Sequence, residues 1–289
     1  MLKATEIKER QREIEKRGNG ETGKRRILSF SDSPCRPFSD SALLFIHGWA
    51  TDSWVWKNQV REFSKEYDVV NVDLPGHGGK DRWSEPTLQP AVKKVLQLRT
   101  PNSKLRTYVG IGWSLGASVL IATAARYPEL FKGLVLIGAT PCFVKRDNFP
   151  HAQPKSLVKG MLKDLKNDPK KTLARFYPLN FTDEEQGLRE AEGFIKHYNS
   201  ELQTPNSKLS SSLEALINMD LRDDIKNINI PTLVIHGDKD MVCPVSAGKY
   251  LAENIKGASL KNFKDTGHAP FLTMAKEFNK EVRRFLKTL

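Results

Sequence analysis

The sequence predicts an α/β fold, in which helices cover both faces of a mostly parallel β-sheet. Two observations carry this prediction. Short runs rich in Val, Ile and Leu alternate with helix-like stretches, and that alternation is typical of parallel strands joined by helices. The runs are apolar at nearly every position, as expected for strands buried on both faces. The first five runs are ILSF, SALLFIHG, YDVVNVDLPG, YVGIGWS and GLVLIGAT.

The alternation stops between Thr140 and Ile230, where the sequence is polar and helical in character. Strand signals then return in PTLVIHGD and ASLKNF, and the chain ends on a helical pattern, AKEFNKEVRRFLKTL. We therefore predict one core interrupted by a helical lid. The predicted boundaries are a charged N-terminal extension at 1–26, a core at 27–139 and 231–289, and a lid at 140–230.

Composition limits the kind of protein and its location. The three cysteines, Cys35, Cys142 and Cys243, are too few and too widely spaced for a disulfide framework, and no CxxC pair predicts a metal site. The N-terminus is too charged for a secretory signal peptide, and no apolar run approaches the ~18 residues that span a bilayer. We expect a cytoplasmic monomer without a membrane partner.

The formal net charge of +12 concerns partners rather than fold. Nucleic acid, an anionic surface and an acidic protein all fit a basic chain. The sequence contains no known nucleic-acid motif and no interleaving of basic and aromatic residues, so we do not predict a nucleic-acid partner.

The stretch GIGWSLGAS at 110–118 places Ser114 between glycines, after a strand pattern and before a helical one. A sharp strand-to-helix turn of this kind exposes a serine hydroxyl on a rigid point. An ordinary tight turn that happens to contain serine is the alternative interpretation.

Serine is a poor nucleophile without a base and a group that orients the base. Ser114, Asp240 and His268 occur in the chain order Ser, Asp, His, each shortly after a predicted strand. Asp238 is a second candidate for the acid. His268 is the one histidine that follows both aspartates beside the last strand, whereas structural roles are expected for His47, His77 and His236.

Attack on an ester also requires backbone N–H donors for the oxyanion. The residue after the nucleophile, Leu115, supplies one such donor at a helix N-terminus. We assign the second donor to Trp49, in the loop after the strand LLFIHG. The Trp49 ring either lines the acyl pocket or packs in the core.

These motifs resemble the α/β-hydrolase superfamily over residues 27–289, where HGW, DLPGHG, GWSLGA, GDKDMVCP and GHAPF stand in order. The sequence is most similar to one branch, the pimeloyl-acyl-carrier-protein methyl ester esterases of biotin synthesis. The segment IGATPCFVKRDNFP at 137–150 is the most discriminating, because general hydrolases diverge there. Ala117 departs from the pattern, since the branch usually has glycine at that position.

The resemblance implies a serine carboxylesterase, a lid inserted after the sixth strand, and a pimeloyl methyl ester substrate carried on an acyl carrier protein. It implies no metal and no organic cofactor. It also implies that Phe176, with the adjacent Tyr177, contacts the substrate beside Trp49, Ser114, Leu115 and His268. Lys171 and Arg175 match basic positions that the family uses for the carrier.

The charge pattern of the predicted lid agrees with an acidic carrier. Lys155, Lys159, Lys163 and Lys166 recur at helical spacing and predict one basic stripe. Leu157, Met161, Leu162 and Leu165 fall on other sides and are expected to pack on the core. Asp168 and Pro169 predict the start of the next helix, which carries Lys171 and Arg175. The docking surface that we predict consists of Lys155, Lys159, Lys163, Lys171 and Arg175; a solvated face of a lysine-rich protein is the alternative.

Two other functions stay open on the sequence alone. One is an esterase or C–C bond hydrolase of the same fold that acts on a free small molecule. The other is a ligand receptor that uses the fold without catalysis. The receptor hypothesis is disfavoured because the sequence contains every element of the triad. The hypothesis of a free small substrate is disfavoured because the predicted lid is basic.

Overall fold

The computed structural model describes residues 41–78, 81–98, 107–201 and 209–289. Within them a six-stranded sheet has the order β2-β1-β3-β4-β5-β6, and every neighbouring pair is parallel. The strands are β1 (Ser41–Ile46), β2 (Asp68–Val72), β3 (Thr107–Trp113), β4 (Phe131–Ile137), β5 (Thr232–Gly237) and β6 (Ser259–Phe263). The predicted α/β class is therefore confirmed.

Eleven α-helices lie in the described residues, two of them only one turn long. They are α1 (Lys57–Phe63), α2 (Gln89–Leu96), α3 (Leu115–Ala124), α4 (Lys155–Asn167), α5 (Pro169–Phe176), α6 (Asp183–Gln186), α7 (Arg189–Glu201), α8 (Leu209–Asn218), α9 (Val245–Asn254), α10 (Pro270–Thr273) and α11 (Ala275–Leu286). Short 3-10 turns span Ser53–Trp56, Pro128–Leu130, Tyr177–Asn180 and Asp224–Asn227. No helix in the described ranges is long and apolar enough to cross a membrane.

The core lies on both sides of the central strands. Every residue of β1 and of β5 is buried, and so is every residue of α3. The outer strands β2 and β6 carry exposed positions. This difference explains the sequence pattern, because only a strand covered on both faces is apolar throughout.

Helices α4 to α8 lie between β4 and β5, and we call this stretch, residues 138–231, the insertion. It follows the fourth of the described strands. The resemblance placed it after the sixth strand of the whole fold, a count that the described residues alone do not test. The ILSF run, like the predicted extension at 1–26, lies outside the described residues. The boundaries predicted for core and lid stay predictions.

The first insertion helix, α4, packs as predicted with one exception. Val158 and Leu165 are buried, and Met161 and Leu162 pack partly against the core. The expectation for Leu157 was wrong: its side chain is 61% exposed. On a helical projection Leu157 lies on the flank of α4 opposite the lysine stripe, beside the buried face rather than within it.

The second insertion helix begins where the sequence predicted. The Asp168 side chain accepts a hydrogen bond from the Lys171 N–H (2.9 Å), and Pro169 is the first residue of α5. This cap satisfies one of the unpaired N–H groups at a helix start. Lys171 and Arg175 lie four residues apart on this helix, about one turn from each other.

Candidate active site

Ser114 occupies the turn between β3 and α3, in a backbone conformation that L-residues rarely adopt. Its φ is 54° and its ψ is −114°. The turn is held because Ser114 N–H donates to the Ile137 carbonyl of β4 (2.8 Å). Gly116 completes it: a Cβ there would lie 2.3 Å from the Ile46 carbonyl oxygen, so only glycine lets α3 approach the end of β1 this closely. Strain at a single serine in such a turn is a common feature of active sites.

The two candidate partners of Ser114 meet at the ends of β5 and β6. His268 Nδ1 lies 2.6 Å from Asp240 Oδ2, and both side chains are buried. Asp240 Oδ1 accepts the N–H groups of Val242 and Cys243, each at 2.8 Å. The alternative acid, Asp238, is exposed, and within the described ranges its carboxylate accepts a single long bond, from Thr266 N–H (3.4 Å). The geometry favours Asp240, as the sequence did.

Asp240 is held as a carboxylate. Burial, the largest influence, would raise its pKa, but the charge of His268 and the hydrogen bonds from His236 and His268 together hold the pKa well below its ordinary value. An ionised acid at this position fixes the imidazole with Nδ1 protonated and Nε2 free to accept a proton.

His268 lies close to Trp113, which precedes Ser114 in the chain, and to Gly138, which follows the residue that holds the Ser114 backbone. The Trp113 indole N–H donates to the His268 carbonyl (2.9 Å). Gly138 follows Ile137, and a Cβ on it would lie 2.7 Å from Cε1 and Nδ1 of His268. Nε2 of His268 is buried and has no hydrogen-bond partner within the described part of the chain. The structure records no bond between this nitrogen and the Ser114 hydroxyl.

The two backbone N–H groups predicted to bind an oxyanion belong to Leu115 and Trp49. Leu115 is the first residue of α3, where the N–H has no partner inside the helix. No hydrogen bond from Trp49 N–H is recorded among the described residues. His47 holds the Trp49 loop: its Nδ1 lies 2.8 Å from the Gly48 carbonyl and its Nε2 accepts Leu74 N–H at 2.9 Å. Burial lowers the pKa of His47, which keeps the ring neutral for this double role.

The sequence of this chain matches a known protein family. A family model described as alpha/beta hydrolase fold matches residues 41–275. The chain belongs to the α/β-hydrolase family. The resemblance inferred from the sequence motifs is thereby confirmed.

Two relatives with an assigned activity are similar to this chain over most of its length. Over 236 residues the chain is 33% identical to the pimeloyl-[acyl-carrier protein] methyl ester esterase of Nitrosomonas europaea, covering 82% of this chain and 92% of that protein. It is 30% identical over 253 residues to the protein of the same name from Wigglesworthia glossinidia brevipalpis, covering 85% and 93%.

Solved structures agree on the fold of this α/β-hydrolase. The esterase EaEST of Exiguobacterium antarcticum aligns with a TM-score of 0.77 at 25% identity, over 86% of this chain and 92% of that chain. A bromoperoxidase from Bacillus anthracis aligns with a TM-score of 0.78, also at 25% identity and with the same two coverages. Neighbours with such different names share an architecture, so the substrate of this hydrolase must be argued from its own residues.

The aromatic side chains predicted to contact substrate form one cluster beside the oxyanion loop. Trp49 is buried and its indole N–H donates to Ser212 Oγ (3.1 Å). Phe176 is half-buried and meets the Trp49 ring edge-on, with centroids 5.1 Å apart. Tyr177 is buried, and its hydroxyl donates to the Ala50 carbonyl (3.0 Å). Tyr177 thus supports the loop that carries Trp49, and its contact with substrate stays a prediction.

His236 lies beside Asp240, a contact that the sequence analysis did not predict. This buried ring donates from Nε2 to the Cys243 carbonyl (2.8 Å) and lies 3.2 Å from Asp240 Oδ2. The structural role expected for His236 fits, since it braces the loop of the acid. Its position in VIHGDKD, four residues before Asp240, was the available signal.

The predicted docking residues all lie on the surface of the insertion. Lys155, Lys159 and Lys163 are exposed on α4, and Lys171 and Arg175 are exposed on α5. Helices α4 and α5 are in contact with each other, so the five charges occupy adjoining helices. Lys166, the fourth member of the stripe, pairs with Glu214 of α8 at 2.8 Å.

A surface cavity of about 310 Å³ lies elsewhere, with Leu88, Arg126, Asp220 and Asp224 in its lining. None of its lining residues belongs to the triad or to the oxyanion loop. Its carboxylate Asp220 is already paired with Arg222 (2.7 Å). The candidate active site is therefore the region of Ser114, Asp240 and His268 rather than this cavity.

Proposed function

We propose that this chain is a serine carboxylesterase that hydrolyses the methyl ester of pimeloyl-acyl carrier protein, in the synthesis of the biotin precursor. The observation that carries the chemistry is the buried Asp240–His268 pair, 2.6 Å apart, next to a serine in a strained turn. The relatives of 30–33% identity support the substrate, because they bear the name of that esterase.

In the proposed mechanism Ser114 Oγ attacks the ester carbonyl while His268 Nε2 takes its proton. The bond to the methoxy oxygen then breaks, and His268 returns the proton so that methanol leaves. A water activated by His268 cleaves the acyl-enzyme and releases the free carboxylate. Asp240 stabilises the charged imidazole, and the N–H groups of Leu115 and Trp49 stabilise the oxyanion in both steps.

The acyl chain needs an apolar passage to Ser114. We assign its wall to Trp49 and Phe176, whose rings pack edge to face and stand next to the oxyanion loop. The free acid end produced at Ser114 is charged, so an apolar wall binds the uncharged methyl ester better than the product.

We assign carrier docking to the exposed basic residues of α4 and α5 named above. An acyl carrier protein is small and strongly acidic, so positive side chains at the rim favour its encounter and orientation. A monomer in the cytoplasm remains our expectation.

The deciding experiment compares kcat/KM for pimeloyl-carrier methyl ester with that for free monomethyl pimelate, at low and high salt. The test variant is Lys171→Glu/Arg175→Glu. The matched control is Lys276→Glu/Lys280→Glu, which reverses two exposed charges at the same spacing on α11. Docking through α5 predicts that the first pair alone, and high salt in the wild type, erase the preference for the carrier substrate.

Two results would contradict the proposal. Equal kcat/KM on both esters, unaffected by salt or charge reversal, would make the protein an esterase of free small molecules. No turnover of any ester, together with no labelling of Ser114 by a fluorophosphonate, would leave a ligand receptor.

A further inference from the structure

Glu185 is a buried carboxylate in α6 of the insertion with three hydrogen-bond donors around it. Its Oε2 accepts the N–H groups of Thr182 (2.9 Å) and Gly267 (2.7 Å). The Thr273 hydroxyl donates to Oε1 (2.5 Å). A buried carboxylate is costly unless donors compensate its lost hydration, so this arrangement is a built one.

The donors belong to two different parts of the chain. Thr182 is the N-cap of α6 and forms a capping box with Glu185, which is a local device of the insertion. Gly267 and Thr273 lie on either side of His268, far along the sequence. A capping box needs only the first contact, so the other two tie the insertion to the histidine loop.

Further contacts hold the His268 backbone from both directions. Its N–H donates to the Asn180 carbonyl of the insertion (2.9 Å), and its carbonyl accepts the Trp113 indole N–H from β3 (2.9 Å). The loop fits tightly here, since a Cβ on Gly267 would lie 2.8 Å from the Asn180 oxygen and 3.0 Å from Glu185 Oε2. Residues of the insertion therefore hydrogen-bond to the backbone N–H groups of Gly267 and His268.

We propose that Glu185 is a positioning residue for His268. By fixing Gly267 N–H and the Thr273 hydroxyl, it sets the angle at which Nε2 faces Ser114. This inference rests on the proposed role of His268 as the base. It gives the insertion a part in the chemistry itself, in addition to any contact with substrate.

The test compares four variants. Glu185→Ala removes all three acceptor contacts, and Glu185→Asp withdraws the carboxylate by one methylene while keeping its charge. Glu185→Gln keeps the shape: its amide oxygen accepts Gly267 N–H and its NH₂ donates to Thr273. Thr182→Ala is the control, because it removes the capping hydroxyl and leaves the contact with Gly267 in place.

Each variant is measured for kcat and KM on p-nitrophenyl butyrate, for the rate of Ser114 phosphonylation by a fluorophosphonate, and for thermal unfolding. We expect Glu185→Ala and Glu185→Asp to lower kcat and the phosphonylation rate by about 10- to 100-fold, with KM little changed. Glu185→Gln should recover most of both rates. Thr182→Ala should lower the unfolding temperature but keep both rates.

Wild-type rates in folded Glu185→Ala would overturn the proposal. So would a Thr182→Ala variant that loses as much activity as Glu185→Ala, because the loss would then follow stability alone. If Glu185→Ala does not fold, the same comparison is made with Glu185→Asp. A wild-type protein inert to both reagents would refute the triad itself, whereas reactive wild type with unaffected Glu185 variants would refute only this inference.

Discussion

Replacement of Gly116 by alanine tests how closely the nucleophile turn must approach β1. The added Cβ would lie 2.3 Å from the Ile46 carbonyl oxygen and 2.7 Å from that of His47, both of them backbone atoms. Ordinary contact begins near 3.4 Å, so the first turn of α3 must retreat by about 1.1 Å. That turn carries Ser114 Oγ and the Leu115 N–H, while Trp49 N–H stays on the loop after β1.

A displacement of this size separates the two proposed oxyanion donors and moves the proposed nucleophile. We expect kcat to fall about 100-fold, since misplacement of reacting groups by ~1 Å costs that much. We expect unfolding to become easier by about 1–3 kcal/mol, the usual cost of overpacking. The assay is ester hydrolysis under saturating substrate, with chemical denaturation on the same preparations.

Gly160→Ala is the matched control for this substitution. Gly160 lies within α4, and a Cβ on it would meet nothing within 4 Å. Alanine should therefore stabilise the helix by about 0.5–1 kcal/mol without changing kcat. A folded Gly116→Ala variant with the kcat of the wild type would refute the argument that this contact sets the oxyanion geometry.

Three further predictions concern strain, charge and helix ends. Because Ser114 has a φ of 54°, Ser114→Gly should exceed Ser114→Ala in unfolding free energy by about 1 kcal/mol in urea titrations, although both abolish hydrolysis. Burial lowers the pKa of His77 to about 3, so below pH ~6.5 the unfolded chain binds a proton that the folded chain refuses. The contribution of neutral His77 to the free energy of unfolding is therefore complete above that pH, and it falls by about 1.4 kcal/mol for each unit by which the pH drops below it. His77→Asn should remove this pH dependence from the unfolding free energies measured by denaturation. Arg146 donates to three carbonyls at the end of α8, so Arg146→Met should lower the unfolding free energy by about 1–3 kcal/mol while kcat stays within twofold.

The sequence predicted the strands and the order of the chemical groups because both are local patterns. Continuous apolar runs identified β1, β3 and β5 as buried strands, and all three are covered on both faces. A serine between glycines predicted a sharp turn at Ser114, and the structure has a turn there in which Ser114 has a φ of 54°. The sequence left Asp238 as a second candidate for the acid, and the 2.6 Å contact of Asp240 with His268 gives a physical reason to prefer Asp240.

What the sequence did not predict are contacts between distant segments. Helical periodicity showed that Leu157 and the lysines of α4 point in different directions. It could not show that the described residues leave the Leu157 side chain 61% exposed. Arg146 is one of many basic residues in this chain, and no local pattern indicates that it donates to carbonyls at the end of α8. In the sequence, Glu185 is one of three consecutive acidic residues in DEEQ at 183–186. Its partner Gly267 is 82 positions away, which no local pattern reveals.

The sheet order explains why one glycine after β4 matters to the triad. The carboxyl ends of parallel strands share one edge, so Ser114 after β3 and His268 after β6 emerge on the same side of the sheet. They do not emerge from neighbouring strands, since β4 and β5 stand between them. The imidazole must cross the end of β4 to face the serine. Gly138 occupies that end, and any side chain there would meet the ring at 2.7 Å. The same residue adjoins Ile137, whose carbonyl holds Ser114 N–H. One end of β4 therefore holds Ser114, the proposed nucleophile, and leaves space for His268, the proposed base. The proposed site thus depends on strand order as much as on its three residues.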